Sequence, residues 1–77
     1  MSDKLLTELF PNEEAEVIAI TGGRMVRTRL RSLGIIEGQK IRKISKVGLG
    51  GPVIVLINRA QLAIGFGMAR RIVVRTK

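Results

Sequence analysis

The chain of 77 residues contains neither cysteine nor histidine. Without them it has no disulfide and none of the usual ligands of zinc, haem or iron–sulfur clusters, so only oxygen atoms remain to bind a metal. Serine likewise lacks the histidine that activates it as a nucleophile. We therefore expect a protein that is not an enzyme and has no resident cofactor.

Carboxylates are also few. Glu13, Glu14 and Glu16 can gather a divalent cation only loosely, because nothing in the sequence fixes them as a cage. We interpret them as the solvated start of a strand, and no metal site is predicted.

Aromatic residues are limited to Phe10 and Phe66, with no tyrosine and no tryptophan. Barrel proteins that read single-stranded nucleic acid stack the bases on aromatic side chains. Sequence-blind contact with phosphates stays open as an alternative function. The cations available for it are Arg24, Arg27, Arg31, Arg42, Lys43 and Lys46.

Long apolar runs are absent as well. The longest, Val53 to Ile57, is far shorter than the roughly 20 residues that a membrane-spanning helix needs. Met1 to Phe10 carries charges and lacks the apolar core of a secretory signal. We expect a soluble protein with no membrane span.

Positive charge is abundant and unevenly placed. Lysine and arginine number 14 against 6 acidic residues, a net charge of +8, and every carboxylate except Glu37 lies within residues 1–20. This asymmetry predicts an anionic partner, which can be nucleic acid, an acidic protein patch or a lipid surface. The competing interpretation is that the acidic first segment folds against the basic helix and partly neutralises it.

One short helix is predicted between Gly23 and Gly34. Its apolar residues, at i, i+4 and i+7, are Val26, Leu30 and Leu33. Arginines occupy another face at i, i+3 and i+7, at Arg24, Arg27 and Arg31. Cations at this spacing repel each other, and no carboxylate in the helix offsets them. We predict that these three arginines bind a partner, together with two cations of the following strand, Arg42 and Lys43.

The rest of the chain reads as β-structure. Strands are predicted at 14–21, 39–47, 53–57, 60–65 and 71–75, the second with a bulge because its alternation slips by one residue. Asn58-Arg59 predicts a two-residue turn, residues 67–70 a single 3-10 turn, and residues 5–10 a helical turn. The expected fold is mainly β: one domain over residues 1–77, a small SH3-like barrel of about five strands with one inserted α-helix. If the barrel leaves an edge free, homo-oligomers are plausible.

Several motifs resemble those of the FeoA family, small SH3-like proteins of bacterial ferrous iron uptake. The segment from Arg29 to Gly38, followed by Ile41, is similar to the family signature RL-x-x-LG-[LI]-x-x-G-x-x-I. Leu62 to Ala69, with Ile72 and Val74, is similar to its closing motif. Departures from the family pattern fall in loops, at Asn12, Glu37 and Arg59.

The resemblance implies a cytoplasmic accessory protein that binds the membrane GTPase FeoB and modulates or tethers it. It would reach the inner face of the membrane through that partner. SH3-like domains of this kind also occur at the C-terminus of metal-dependent repressors, which leaves a transition-metal-ion-binding or sensing role as an alternative.

Overall fold

The computed structural model describes residues 2–76. The strands are β1 (Ser2–Leu5), β2 (Glu14–Ile20), β3 (Lys40–Lys46), β4 (Val53–Ile57), β5 (Ala60–Ile64) and β6 (Ile72–Thr76). The helices are α1 (Arg24–Ser32) and the single turn α2 (Phe66–Ala69), and a 3-10 turn covers Leu6–Glu8. The mainly β fold with one inserted helix is confirmed.

All six strands form one antiparallel sheet in the order β1-β6-β2-β3-β4-β5. The curled sheet does not close: among residues 2–76, β1 pairs with β6 alone and β5 with β4 alone, which leaves two edges. Strand β1 was not predicted from the sequence. Its residues Ser2, Asp3 and Lys4 are polar and it lies at an edge, where the apolar alternation of a buried strand is not needed.

Local features of the sheet follow their residues closely. The pairing of β3 with β4 shifts between Lys43 and Ser45, which confirms the predicted bulge. Asn58 and Arg59 connect β4 to β5 with φ values of 50° and 65°, the left-handed conformation that a two-residue hairpin turn requires. The connector before the last strand is one turn of α-helix over Phe66–Ala69, where a 3-10 turn was expected over 67–70.

Helix α1 ends at the predicted glycine. Gly34 has a φ of 88°; its N–H donates to the Arg31 carbonyl at 2.9 Å, and the Ile35 N–H donates to the Leu30 carbonyl at 3.0 Å. These two bonds form a Schellman motif, which is completed when the flanking apolar side chains pack together. Leu30 and Ile35 are both fully buried. The helix is therefore fixed to the sheet at its C-terminal end.

The core lies inside the curl of the sheet. Each of its members is at most 6% exposed: Leu6, Leu9, Ala15, Val17, Ile20, Leu30, Ile35, Ile41, Val53, Val55, Ile57, Ile64, Ala69, Ile72 and Val74. Of the apolar face predicted for α1, Leu30 enters this core and Val26 packs against it half-buried, but Leu33 is 42% exposed. Leu33 lies one residue beyond the helix, at its C-cap, where the chain turns away.

Candidate partner-binding surface

Helix α1 carries the predicted arginines on its outer side. Arg24, Arg27 and Arg31, which we call the arginine row, are all exposed, and so is Arg29. Seven residues of α-helix rise about 10 Å, so the row forms a short line of positive charge. Its length suits two or three carboxylates on a partner.

No carboxylate of residues 2–76 lies within 4.0 Å of an arginine of α1. The ion pairs in this part of the chain are Lys4–Glu13 at 4.0 Å, Arg42–Glu14 at 3.6 Å and Arg75–Asp3 at 2.8 Å. The acidic first segment thus pairs with cations of the strands, and it leaves the helix unneutralised. The competing interpretation of the charge asymmetry does not hold for α1.

The charge at the start of α1 works against the helix itself. Its first turn contains no acidic residue and begins with Arg24, where the helix dipole disfavours a cation. The N-cap, Gly23, provides no side-chain hydrogen bond to the free N–H groups. What holds the helix is the burial of Leu30 and the C-terminal motif at Gly34. Arg29 and Arg31, in the last turn, suit the helix dipole, but no carboxylate of residues 2–76 pairs with any arginine of the helix, which leaves their side chains available for another role.

Lys43 was predicted to face a partner, and its position in the structure does not allow this. The side chain is 6% exposed, and its Nζ donates to the carbonyl oxygens of Leu9 at 2.6 Å and Thr7 at 3.1 Å. Burial lowers the pKa of the Lys43 ammonium, and the charge of Lys46 lowers it further, against the opposing effect of Glu13. Lys43 is a structural residue that attaches the N-terminal segment to β3.

Arg42, the other strand cation of the predicted surface, is also engaged within the fold. Its Nη1 donates to the Asn12 carbonyl at 2.5 Å, while Nη2 lies 3.6 Å from Glu14 across the β2–β3 pair. The structure therefore separates the five predicted cations into two groups, three on α1 and two on β3. Of these five cations, only the three of the arginine row have no carboxylate or carbonyl partner for their side chains within residues 2–76.

Sequence reasoning missed a groove beside the row. It is a shallow depression of about 530 Å³ between α1 and α2, which we call the α1 groove. Its apolar lining is Met25, Val26 and Met68, and its polar lining is Arg24, Thr28, Arg29 and Ser32. The signal for it was present at Met25, which lies off the apolar face of the helix and is 85% exposed.

Two carboxylates at the start of β2, one in the strand and one just before it, are held by neighbouring groups. Glu13 Oε1 accepts a hydrogen bond from the Phe10 N–H at 2.9 Å, and Glu14 faces Arg42. Across residues 2–76, no three acidic side chains gather in a way that could hold a metal ion. The same part of the chain has no helix with the length and apolar character to cross a membrane.

Both the sequence and the fold of this chain match known proteins. The sequence profile of the FeoA domain matches residues 4–76, nearly the whole chain. The chain belongs to the FeoA family. A crystal structure of an iron uptake regulatory protein, FeoA, is 32% identical over 97% of each chain, with a TM-score of 0.88. No curated protein sequence gave a match.

Two other FeoA structures extend the comparison. FeoA from Chlorobium tepidum is 32% identical over 95% of this chain and 70% of its own length, with a TM-score of 0.84. FeoA from Stenotrophomonas maltophilia is 28% identical over 94% of this chain and 89% of its own, with a TM-score of 0.77. The latter was solved with zinc and described as a prokaryotic SH3 domain protein and a candidate activating factor of ferrous iron transport. The SH3-like fold and the association of the FeoA family with ferrous iron transport are thereby confirmed.

Proposed function

We propose that this FeoA protein is a non-enzymatic accessory factor of ferrous iron transport that docks on the cytoplasmic part of the membrane GTPase FeoB. It would act in the cytoplasm and reach the membrane through FeoB, modulating the GTPase or tethering its domains. The observation that carries the proposal is the arginine row, three exposed guanidinium groups with no carboxylate of residues 2–76 in reach.

Arginine suits such a contact because its planar guanidinium binds carboxylates in a two-pronged geometry. The row is presented on a helix that is fixed by Leu30 and Gly34, so little order has to be gained when a partner binds. Charges of this kind increase the rate of encounter and select the partner, and their effect falls as salt is added. Binding through the row should therefore weaken with ionic strength.

A pull-down with the purified cytoplasmic part of FeoB tests the proposal. The double variant Arg27→Glu/Arg31→Glu reverses two charges of the row, and Arg59→Glu/Arg70→Glu changes the net charge equally at exposed sites outside α1. We expect the first variant to lose retention by about tenfold or more and the second to bind like the wild type, since the loss of a specific charge pair exceeds a general change of charge. Equal behaviour of the two variants would remove the row from the interface.

The effect on the GTPase can be read from GTP hydrolysis by FeoB with and without this protein. A change in rate that the row variant fails to produce would indicate modulation. An unchanged rate with intact binding would indicate tethering. No binding by the wild type would contradict the proposed function.

A further inference from the structure

The α1 groove differs in chemistry from the arginine row, although Arg24 belongs to both. Met25 is 85% exposed beside the half-buried Val26 and Met68, which pack against the core. An exposed apolar side chain is common on a protein surface, but here one exposed and two half-buried apolar side chains line the same depression. The groove therefore has room for an apolar side chain from outside.

The arginines of the groove add a charge requirement. Arg24 and Arg29 line it together with the methionines, and no carboxylate of residues 2–76 lies within 4.0 Å of either guanidinium. The hydrogen bond from Ser32 Oγ goes to the Arg29 carbonyl at 2.6 Å, so this serine is satisfied within the helix. The unmet groups of the groove are apolar surface and positive charge together.

We infer that the α1 groove binds an acidic protein segment that inserts an apolar side chain between Met25 and Met68 and places carboxylates on Arg24 and Arg29. Methionine suits this task because its unbranched, polarizable side chain adapts to the shape that enters. Nucleic acid offers phosphates without an aliphatic side chain, so it would contact the arginines and not the methionines. The inference rests on the proposed function in one respect, that the natural source of the segment is FeoB.

The methyl NMR signals of the methionines can report binding in the groove. The chain has three, and two of them line the groove. The full chain labelled with carbon-13 at the methionine methyl groups is titrated with short model peptides of equal length, one of glutamate and leucine, one of glutamate and alanine, and one of lysine and leucine. The variants Met25→Leu and Met68→Leu assign the two resonances.

We expect the glutamate–leucine peptide to shift both groove resonances and to bind about tenfold or more tightly than either control peptide. Met25→Ser should weaken that binding about tenfold. Leu49→Ser, which changes a fully exposed apolar residue in the β3–β4 loop, should leave it unchanged. Both sites are at the surface, so the two variants should remain folded, which their NMR spectra will show.

Each contrary result has a definite meaning. Equal binding of the glutamate–alanine peptide would overturn the apolar part of the inference, and equal binding of the lysine–leucine peptide would overturn the acidic part. If the methionine resonances did not shift with any peptide while the arginine row still retained FeoB, the inference about the groove would be wrong and the proposed function would stand. If the glutamate–leucine peptide shifted the groove resonances but the protein did not bind FeoB, the proposed function would be wrong and the inference about the groove would stand.

Discussion

Four cations of the strands and the arginines of α1 meet different surroundings in this molecule. Lys4, Arg42 and Arg75 each lie within 4.0 Å of a carboxylate, and Lys43 is capped by two carbonyl oxygens. The arginines of α1 have no carboxylate of residues 2–76 within that distance. The comparison teaches that net charge alone does not locate a binding surface. Cations that the fold has already engaged must be set aside first.

The largest expected effect is on stability, at Lys43. Lys43→Ala should lower the free energy of unfolding by about 2 kcal/mol, because the carbonyls of Thr7 and Leu9 lose charge-assisted donors. Arg31→Ala, on the exposed helix face, should change it by no more than about 0.5 kcal/mol. Urea unfolding with unchanged m-values measures both. Similarly small changes in the free energy of unfolding for the two variants would contradict the distinction between cations that stabilise the fold and cations that do not.

Arg42 gives an intermediate case. Arg42→Ala removes the bond to the Asn12 carbonyl and a half-exposed ion pair with Glu14, so we expect a loss of about 1 kcal/mol. Arg42→Ala should retain FeoB as the wild type does. Arg27→Ala, in contrast, should keep the stability of the wild type and retain less FeoB. If Arg42→Ala weakened binding as much as Arg27→Ala does, Arg42 would belong to the interface after all.

Much of the fold could be predicted from local patterns. The helix between Gly23 and Gly34, the β3 bulge and the turn at Asn58-Arg59 all follow from residues whose backbone preferences agree with their tertiary position. Strand β1 could not be predicted in this way, because a polar edge strand has no pattern of its own and depends on pairing with β6 at the other end of the chain.

The site was predictable in part for the same reason. The arginine row follows from helical spacing, which is local. The burial of Lys43 is not: its carbonyl acceptors lie 34 and 36 residues away along the chain. The α1 groove likewise needs Met68 brought beside Met25 by the sheet.

Helix α1 offers a smaller effect with an unusual sign. Arg24→Glu should raise the free energy of unfolding by about 0.5 kcal/mol, because it places a carboxylate in the first turn and removes the repulsion with Arg27. Arg31→Glu is the matched control, since a carboxylate in the last turn opposes the helix dipole and should bring no such gain. Both variants should bind FeoB more weakly. A destabilising Arg24→Glu would show that this arginine already serves the fold.

The smallest expected effect concerns the engaged pair at the β1 edge. Arg75 lowers the pKa of the Asp3 carboxyl, mainly through hydrogen bonds at 2.8 and 3.2 Å. A lowered pKa in the folded state means that the stabilisation is present above the pKa of the unfolded chain and is lost as the pH falls through the folded value. Asp3→Asn should therefore flatten the loss of stability in acid, while Arg29→Gln, in α1, should leave it unchanged.

The two variants are compared with the wild type by urea unfolding at neutral pH and at successively lower pH. The difference for Asp3→Asn should be slight and should shrink with added salt, because the pair is exposed and water and ions screen it. Parallel acid unfolding of Asp3→Asn and the wild type would show that this pair contributes nothing to holding β1 against β6. The strand cations would then differ in their contribution to the free energy of unfolding, from a large one at the buried Lys43 to none at Arg75.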